Sequence, residues 1–543
     1  MSNLFSRWLE RSSQGFTRRS LFHRGGVAAL LGAAGGAATP AEAALEVGPS
    51  MYESIGVRPV INAKGTFTII SGSQSLPEVK QAMMEASKHY VHIDELMDAV
   101  GKRIAEITGA ESAMVTCGCA AALTHSTSAC IAGGDPEKMQ RLPDLTGLKN
   151  EVIAPRYSRN VYDHAVRMLG VKMVTVRDLD EMADRMGPQT AMVMVLATPE
   201  DSGPFGLEPI AKLAHSRGIP VIVDAAAEDL TIPNVHLKRG ADLVAYSGGK
   251  ALRGPQSAGL LLGRKDLIRA AWTNSAPHHA FGRSIKVAKE DIMGMLAAVE
   301  MWVKRDHEAE WKMWESWLDE ISTSVKRIDG VTTAVSEPRG LSNRSPRLDI
   351  KWDPKKLGVT GEEMDKLMWN GNPRIILGGG RGDWRSGGES TVTVMPWMMM
   401  PGDSKAIAAA LYKTLSSPPK VDRSAPAAPS VQTGGAWEVE IDYTLSPAQH
   451  KFFLEQSGAD IQGRHEGDRT GGDIRGWVEG DRVTLTSRHP WEGTSFGFKF
   501  TGMVKGDTME GDVDLGEYFN AKWRAQRHQY GRPGRPARPQ KNV

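Results

Sequence analysis

The chain has 543 residues and a formal net charge of +2, with 41% hydrophobic and 24% charged residues. This length predicts two or three domains with separate cores, and the near-neutral charge gives no support for a nucleic-acid partner. The three cysteines, Cys117, Cys119 and Cys130, lie in one short segment, which excludes a disulfide framework across the fold. Cys117 and Cys119 could still form a local disulfide or bind a metal. The simpler interpretation is that they are small buried residues.

The N-terminus has the features of an export signal. Arg18 and Arg19 precede a short apolar run rich in Ala and Gly, and the sequence AEA at 41–43 has the form of a cleavage site. This pattern resembles a twin-arginine signal, and the run is too short for a stable membrane span of about 20 residues. We therefore expect residues 1–43 to be a signal peptide, and the mature chain, beginning near Ala44, to work in the periplasm or elsewhere outside the cytoplasm without a stable membrane anchor. The alternative is a basic amphipathic arm on a cytoplasmic protein.

A large α/β domain is predicted over residues 44–300. Short apolar segments alternate there with helical stretches, which is typical of βαβ units and of a mainly parallel sheet covered on both faces. The predicted strands are MVTVRDL, AMVMVLA, IPVIVDAAA, ADLVAYS and AGLLLG, at residues 173–179, 191–197, 219–227, 241–247 and 258–263. A long run with helical spacing begins at Glu290, and its Met and Trp side chains are expected in the core. A smaller α/β domain is predicted over residues 301–415.

A linker rich in Pro, Ser and Ala over residues 416–435 marks a domain boundary. Beyond it, residues 436–528 alternate polar with apolar side chains and are divided by Gly-Asp turns, which predicts a small antiparallel β domain that curls toward a barrel. We expect His450 and His465 in this domain to face solvent rather than bind a metal, because no third ligand lies at metal spacing. Residues 529–543 are predicted to be a disordered tail.

Residues 246–259, YSGGKALRGPQSAG, place one lysine among small residues at the end of a predicted strand. The glycines let the backbone approach a flat ring, the hydroxyl of Ser247 can bond a phosphate, and Lys250 is placed to form a Schiff base with a carbonyl group. Asp224 ends the buried strand VIVD, where a carboxylate is costly unless it meets a cation such as a protonated pyridine nitrogen. A strand Asp followed by Ser-x-x-Lys is what pyridoxal phosphate requires, so we predict this cofactor.

A site for the cofactor phosphate is expected upstream of these residues. The segment AMVTCGCAAALTHSTSA runs from a strand into an Ala-rich helix. The amides of Gly118, Cys119 and Ala120 are therefore candidates to bind the phosphate at the helix N-terminus, with a plain strand-to-helix turn as the alternative. Farther along the chain lie Tyr162 and His164, and we select His164 as the ring that covers the cofactor. The alternative is that His164 has a purely structural role.

Five segments carry a resemblance to a known family: VRPVINAKGTFTIISGSQSLPEV, GKRIAEITGAESAMVTCGCAAAL, VIVDAAAE, YSGGKALRGPQSAGLLLGRKDLI and GRSIKVAKEDIMGMLAAVE. Over about residues 52–415 the sequence resembles the bacterial selenocysteine synthase-like family of fold-type I pyridoxal-phosphate enzymes. Within this family it is most similar to the D-glucosaminate-6-phosphate ammonia-lyase branch. The resemblance implies a mainly parallel, seven-stranded-type sheet with a small α/β domain, and a site formed between two subunits of at least a homodimer.

The resemblance also implies roles for individual residues. Lys250 would form the Schiff base, Asp224 would bind the pyridinium nitrogen and Ser247 would bind the phosphate. Gln256 belongs to the same loop without an assigned role. Two arginines are candidates to bind substrate or phosphate anions, Arg283 and Arg374.

The expected function is an α,β-elimination of ammonia-lyase type on an amino acid or amino sugar acid. Lys250 would remove the Cα proton, a β-hydroxyl would leave, and the enamine would hydrolyse to a 2-oxo acid and ammonia. The export signal, the linker and the β domain depart from the family pattern, so the substrate itself is not carried over. An aminotransferase or a selenium-transferase-like enzyme would use the same Lys and Asp. A non-catalytic exported binding protein on the same scaffold is the alternative of another class.

Overall fold

The computed structural model describes residues 47–384, 387–420 and 427–529. The predicted signal peptide lies outside these residues, as do the predicted tail from residue 530 onward and part of the predicted linker. Contacts divide the chain into two units after Val60. The first is described from residue 47 and contains one short helix, α1 Met51–Ser54. The second begins at Ile61 and contains the elements described below.

A seven-stranded sheet forms the centre of the large domain, and it confirms the predicted fold class. Its strands are β2 Ser112–Thr116, β3 Glu151–Pro155, β4 Lys172–Val176, β5 Thr190–Leu196, β6 Val221–Asp224, β7 Leu243–Ser247 and β8 Gly259–Gly263. The order is β2-β8-β7-β6-β5-β3-β4. Neighbours from β4 to β7 run parallel, whereas β8 runs antiparallel to both β7 and β2. β6 to β8 are almost wholly buried, as expected of strands covered on both faces.

Helices alternate with these strands. They are α2 Pro77–Ser87, α3 Ile93–Thr108, α4 Gly118–Ala132, α5 Pro136–Arg141, α6 His164–Arg167, α7 Leu179–Arg185, α8 Leu207–His215, α9 Val235–Lys238, α10 Lys265–Thr273 and α11 Lys289–Lys304. Short 3-10 turns lie at Thr68–Ile70, Arg156–Ser158, Val161–Asp163 and Pro199–Ser202. The crossover helix α8 buries Leu207, Ile210, Ala211 and Ala214, which share one helical face. Within the described residues, no helix has the length and apolar character needed to cross a membrane.

The small domain has its own core. A four-stranded antiparallel sheet has the order β12-β13-β10-β9, and a separate parallel pair joins β1 to β11. The strands are β1 Ile61–Ala63, β9 Thr332–Ser336, β10 Arg347–Trp352, β11 Ile375–Leu377, β12 Gly380–Arg381 and β13 Ser390–Val394. The helices are α12 His307–Val325, α13 Pro354–Leu357, α14 Gly361–Asn370 and α15 Asp403–Ser416, with a 3-10 turn at Pro396–Met398. Ile61–Ala63, inside the range predicted for the large domain, thus pairs with a strand of the small domain.

The C-terminal β domain is a closed, eight-stranded antiparallel barrel, which confirms the predicted class of this region. Its strands are β14 Gly435–Asp442, β15 Pro447–Ser457, β16 Asp460–Glu466, β17 Gly471–Glu479, β18 Arg482–Trp491, β19 Thr494–Lys505, β20 Thr508–Asp514 and β21 Asn520–Arg527. Each strand pairs with the next, and β21 closes the barrel on β14. The interior is filled mainly by apolar side chains, among them Trp437, Phe452, Phe500 and Trp523.

The two ends of the barrel differ. At one end three short turns contain Gly458, Gly480 and Gly506, whose φ angles of +61°, +59° and +58° are in the left-handed region that favours glycine. Four other connections, between alternate strand pairs, lie at the opposite end because successive strands run up and down. They are residues 443–446, 467–470, 492–493 and 515–519. We call this end the open end.

Candidate cofactor site

Two neighbouring parallel strands bring the predicted acid and hydroxyl to one edge of the sheet. Asp224 ends β6 and Ser247 ends β7, and Asp224 is in register with Ala245. Lys250 follows three residues after Ser247. Because ligands in open α/β sheets bind beyond the carboxyl ends of the strands, this edge is the expected place for a cofactor.

Asp224 is only 3% exposed, and its hydrogen bonds use one oxygen. Oδ1 accepts the backbone N–H of Ala226 at 3.1 Å and the thiol of Cys119 at 3.6 Å. Burial raises the pKa of Asp224, although these two bonds and the positive charge of Lys250 act in the opposite direction. Among the described residues no hydrogen bond to Oδ2 is present, so this oxygen is left to bind a cation such as a protonated ring nitrogen.

The loop that carries Lys250 is closed by the pairing of Ser247 with Gly259. Inside the loop, the N–H of Gly248 donates to Ala258 O and the N–H of Gly254 donates to Gly248 O, both at 2.8 Å. A Cβ on Gly249 would lie 2.6 Å from the Cα of Gln256. The glycines are therefore needed for the loop to fold back on itself, independently of any bound cofactor.

An N-terminal segment, residues 73–76, supports the same loop, and sequence reasoning missed it. The N–H of Ser73 donates to Gly249 O at 3.1 Å and the N–H of Leu76 donates to Arg253 O at 3.0 Å. The hydroxyl of Ser75 donates to Gly254 O at 2.9 Å. These bonds fix the backbone on both sides of Lys250.

The predicted phosphate loop lies where β2 runs into α4. Cys117 precedes the helix without a side-chain capping bond, so the amides of its first turn have no side-chain partner there. Gly118 has φ +78°, and a Cβ on Gly259 would overlap the Gly118 carbonyl carbon and lie 2.6 Å from the N of Cys119. The loop therefore rests directly on β8. Ala120 is exposed, which leaves its backbone accessible.

The side chain of Cys119 joins this loop to Asp224. The sequence predicted a role only for the backbone amide of Cys119. All three cysteines are free thiols, and burial raises the pKa of Cys117 and Cys119. Cys119 therefore stays protonated and donates to the carboxylate. Cys117 and Cys119 form no local disulfide.

Next to Lys250 lies the ring of Tyr162, whose centroid is 5.9 Å from Nζ. His164, the predicted ring, begins α6 and is exposed, and no contact joins it to Lys250 among the described residues. Asp163 between them is fully buried and pairs with Arg159 at 2.6 Å and with Arg167 at 3.0 Å. The two ion pairs hold the short segment that presents Tyr162.

The barrel contacts this segment through the turn between β18 and β19. Nη2 of Arg159 donates to Glu492 Oε2 at 2.6 Å. A Cβ on Gly493 would overlap the carbonyl oxygen of Asn160 and lie 2.6 Å from Asp163 Oδ2. The barrel turn is thus in backbone contact with the residues that precede Tyr162.

The two predicted anion-binding arginines lie apart from this set. Arg283 is exposed in the loop before α11. Arg374 stacks on Trp369 with 4.6 Å between guanidinium and ring, and its buried Nε has no hydrogen-bond partner among the described residues. No contact within residues 47–384, 387–420 and 427–529 joins either arginine to Lys250 or Asp224, so both stay predictions.

These residues fit pyridoxal phosphate: a buried carboxylate with one unused oxygen, a lysine beyond the next strand and a helix start without a side-chain cap. The fold and this site define a fold-type I, pyridoxal-phosphate-dependent enzyme. Residues 153–289 match the aminotransferase class-V family, which lies within this class. The cofactor and the enzyme class predicted from the sequence are confirmed.

The proteins that resemble the chain include three curated relatives and one solved structure. The D-glucosaminate-6-phosphate ammonia lyase of Salmonella typhimurium is 27% identical over 338 residues, which cover 60% of this chain and 89% of the relative. A 5'-C-glycyluridine monooxygenase-decarboxylase of Streptomyces sp is 29% identical over 344 residues, covering 60% and 83%. The L-seryl-tRNA(Sec) selenium transferase of Moorella thermoacetica is 24% identical over 341 residues, covering 57% and 66%. A structure of D-glucosaminate-6-phosphate ammonia-lyase aligns with TM-score 0.60 and 26% identity, covering 68% of this chain and 98% of the other.

Proposed function

We propose that the protein is an exported lyase that acts on an amino acid or amino sugar acid carrying a β-hydroxyl group. The substrate loses water across the Cα–Cβ bond, and hydrolysis of the enamine consumes that water again. One substrate therefore gives one 2-oxo acid and one ammonium ion. The observation that carries the proposal is the similarity to a D-glucosaminate-6-phosphate ammonia lyase over 60% of the chain, in both sequence and fold.

Bound pyridoxal phosphate supplies a carbonyl group for the substrate amine and an electron sink for the pair left at Cα. Lys250 Nζ takes the Cα proton, and Oδ2 of Asp224 keeps the ring nitrogen protonated. The amides of Gly118, Cys119 and Ala120 hold the phosphate together with the hydroxyl of Ser247.

Substrate recognition is proposed to involve one ring and two arginines. Tyr162, beside Lys250, excludes water from one side of the reacting carbon, and His164 is the alternative ring. Arg283 and Arg374 bind the carboxylate or another anion of the substrate through their guanidinium groups.

The test begins with protein purified from the mature start near Ala44. Borohydride reduction followed by peptide mapping should place a reduced cofactor on Lys250. β-Hydroxy amino acids and amino sugar acids are then screened for ammonia and 2-oxo acid in equal amounts. Lys250→Ala should abolish both signals, whereas Lys265→Ala, an exposed lysine at the start of α10, should keep them. Turnover that survives Lys250→Ala would remove the proposed mechanism.

The same assay separates the alternatives. An aminotransferase would accumulate the aminated cofactor with an amino donor alone and release no ammonia. A selenium-transferase-like enzyme would replace the β-substituent instead of forming a 2-oxo acid. Similarity to a monooxygenase-decarboxylase adds a further possible result of the assay. In that case the reaction would consume oxygen and release carbon dioxide from the substrate.

Export and assembly are separate parts of the proposal. Arg18 and Arg19 support export by the twin-arginine route to the periplasm, so changing both to Lys should leave the precursor in the cytoplasm on cell fractionation. Homodimer formation is supported by similarity to fold-type I enzymes, whose sites form between subunits. Light scattering should therefore give about twice the mass of one mature chain, and a monomer would contradict this part.

A further inference from the structure

The open end of the barrel contains a cavity of about 490 Å³, which is within the range of small-molecule sites. All four connections at this end, or the strand ends beside them, contribute to its wall. Five of its twelve lining residues are Phe, Tyr or Trp: Tyr443, Trp491, Phe496, Phe498 and Tyr518. Trp491 and Tyr518 are 39% and 56% exposed, so solvent reaches this part of the lining.

One imidazole lines the cavity wall, that of His450. The predicted exposure of His450 and His465 to solvent is wrong, because they are only 7% and 0% exposed. His450 Nδ1 lies 2.8 Å from His465 Nε2, and His465 Nδ1 lies 2.6 Å from Ser487 Oγ. Burial lowers the pKa of both rings, that of His465 to about 2, so both are neutral near pH 7.

This chain of hydrogen bonds has two proton arrangements. With the proton on His450 Nδ1, the Nε2 of His450 is an acceptor and His465 donates to Ser487. With the bonds reversed, Nε2 of His450 carries a proton and is a donor. Nε2 has no partner among the described residues, so His450 offers the cavity one uncharged group that adapts to a donor or an acceptor.

A third buried imidazole, His489, lies behind this wall. Its ring centroid is 4.2 Å from that of His465, and its Nδ1 lies 2.9 Å from the hydroxyl of Thr470. Nε2 is buried without a hydrogen-bond partner in the described chain. A barrel serving only as a scaffold gains nothing from three desolvated imidazoles, because apolar side chains fill the same space without the penalty. Nor do the described residues form a cluster of three or more His, Cys, Asp or Glu side chains suited to a metal ion.

Charges at the cavity rim balance each other. Asp468 and Arg469 both line the cavity, and their ion pair has an N–O distance of 3.6 Å between largely exposed side chains. With neutral imidazoles inside and a neutral pair at the rim, the site has no net charge to select an ion.

We infer that the open end of the barrel binds a small, neutral aromatic molecule with one hydrogen-bonding group, which Nε2 of His450 recognises. The aromatic rings of the lining provide the apolar contact, and the histidine chain provides the polar one. No residue of the cofactor set around Lys250 and Asp224 lines this cavity, and the inference does not depend on the proposed reaction.

The test uses the full mature holoenzyme and N-phenyl-1-naphthylamine, a neutral fluorophore with one N–H. Titration should give a saturable, blue-shifted emission with one site per chain. Trp491→Ala and Tyr518→Ala should each weaken binding about tenfold. Phe453→Ala removes a 42% exposed ring from the barrel strand β15 without touching the cavity lining, and should leave binding unchanged. Absence of saturation, or an equal loss in Phe453→Ala, would overturn the inference.

The role of His450 is tested with a second probe. In 1-benzylnaphthalene a CH₂ group replaces the N–H, and displacement of the fluorophore measures its affinity. The N–H probe should bind several-fold more tightly than the CH₂ probe to the wild-type chain. His450→Phe should remove this difference, with circular dichroism as the check on folding. Equal affinity of both probes for the wild type would exclude recognition by His450, whether or not the variant folds.

Discussion

Arg159 of the large domain and Glu492 of the barrel form an ion pair with a 2.6 Å separation, and Arg159 also holds the fully buried Asp163. The pair joins two domains at the segment that presents Tyr162 to Lys250. Because Glu492 is 36% exposed, the pair alone adds little stability, and the close backbone contact at Gly493 is the more sensitive point.

Gly493→Val should therefore separate the barrel from the large domain. Its side chain would overlap the backbone of Asn160, and overpacking of this kind costs about 1–3 kcal/mol. Small-angle scattering should show a larger radius of gyration, with faster hydrogen exchange at residues 159–167. Gly497→Val is the matched control, because no atom lies within 4 Å of a Cβ there. An unchanged radius would show that the contact does not hold the barrel.

Asp224→Asn should lower activity by on the order of 10²–10³-fold, because it removes the charge that stabilises the protonated ring nitrogen. In the cofactor-free enzyme the same change should be stabilising near neutral pH. Burial raises the pKa of Asp224 above that of an unfolded carboxyl group, so ionisation favours the unfolded chain. The free-energy cost of ionising Asp224 in the folded chain is absent below about pH 4. It is complete above the pKa that Asp224 has in the folded chain. Thermal unfolding should show an advantage for Asp224→Asn that grows from pH 4 to pH 8. An advantage independent of pH would contradict this account.

Cys119→Ala should shift the pH profile of kcat/KM. The thiol donates to Asp224 and lowers the pKa of that carboxyl group. Its loss therefore raises the pKa further and moves the acidic limb of the profile to higher pH. Cys119→Ser restores a donor and should restore the profile, while Cys130→Ala, on the same helix, should have no effect. Identical acidic limbs in the Ala and Ser variants would argue against the hydrogen bond.

Gly259→Ala should weaken cofactor binding at least about tenfold, equivalent to about 1.4 kcal/mol. The added methyl group would occupy the space of the Gly118 backbone and displace the phosphate loop from β8. Titration of the cofactor-free protein with pyridoxal phosphate measures the effect. Gly134→Ala, at a position with open space around it, should bind as the wild type does. Equal affinities would show that β8 does not support the loop.

Acid should destabilise the barrel through its buried histidines. The pKa of His465 is lowered to about 2 and that of His489 to about 4, mainly by burial. Below about pH 6.5 the unfolded chain binds protons that the barrel does not. The free energy of unfolding should then fall by up to about 1.4 kcal/mol per pH unit for each histidine. Hydrogen exchange of barrel peptides between pH 5 and 7 measures this, after correction for intrinsic rates. His465→Phe should reduce the slope, and His528→Gln, outside the core, should not.

Asp224 and Lys250 could be selected from the sequence because both lie next to strongly apolar strands, whose ends can be read locally. The support from residues 73–76 was not visible, since Ser75 and Gly254 are 179 residues apart. Two features of the sheet depend in the same way on pairing between distant segments. They are the antiparallel direction of β8 and the place of β3 next to the edge strand β4. Tyr162 was considered, but its position beside Lys250 rests on ion pairs of Asp163 that no local pattern indicates.

The barrel histidines were misjudged although a signal was present. His450, Phe452 and Leu454 alternate along β15, and all three point inward. In a strand, sharing a face with two buried residues outweighs the polarity of one side chain. His489 is followed by Pro490, and proline is typical of strand ends. In the structure β18 continues through Pro490 to Trp491.

The bonds from residues 73–76 to the Lys250 loop determine when the site can form during folding. Contacts between segments this distant in sequence close late, after the loop entropy has been overcome. Lys250 is therefore positioned only once the sheet from β2 to β8 and the N-terminal segment have assembled. A fragment beginning after Leu76 would keep Asp224, Ser247 and Lys250 but lack the scaffold of their loop. Binding of the cofactor thus requires an almost completely folded large domain. Bound cofactor therefore indicates that this domain has folded.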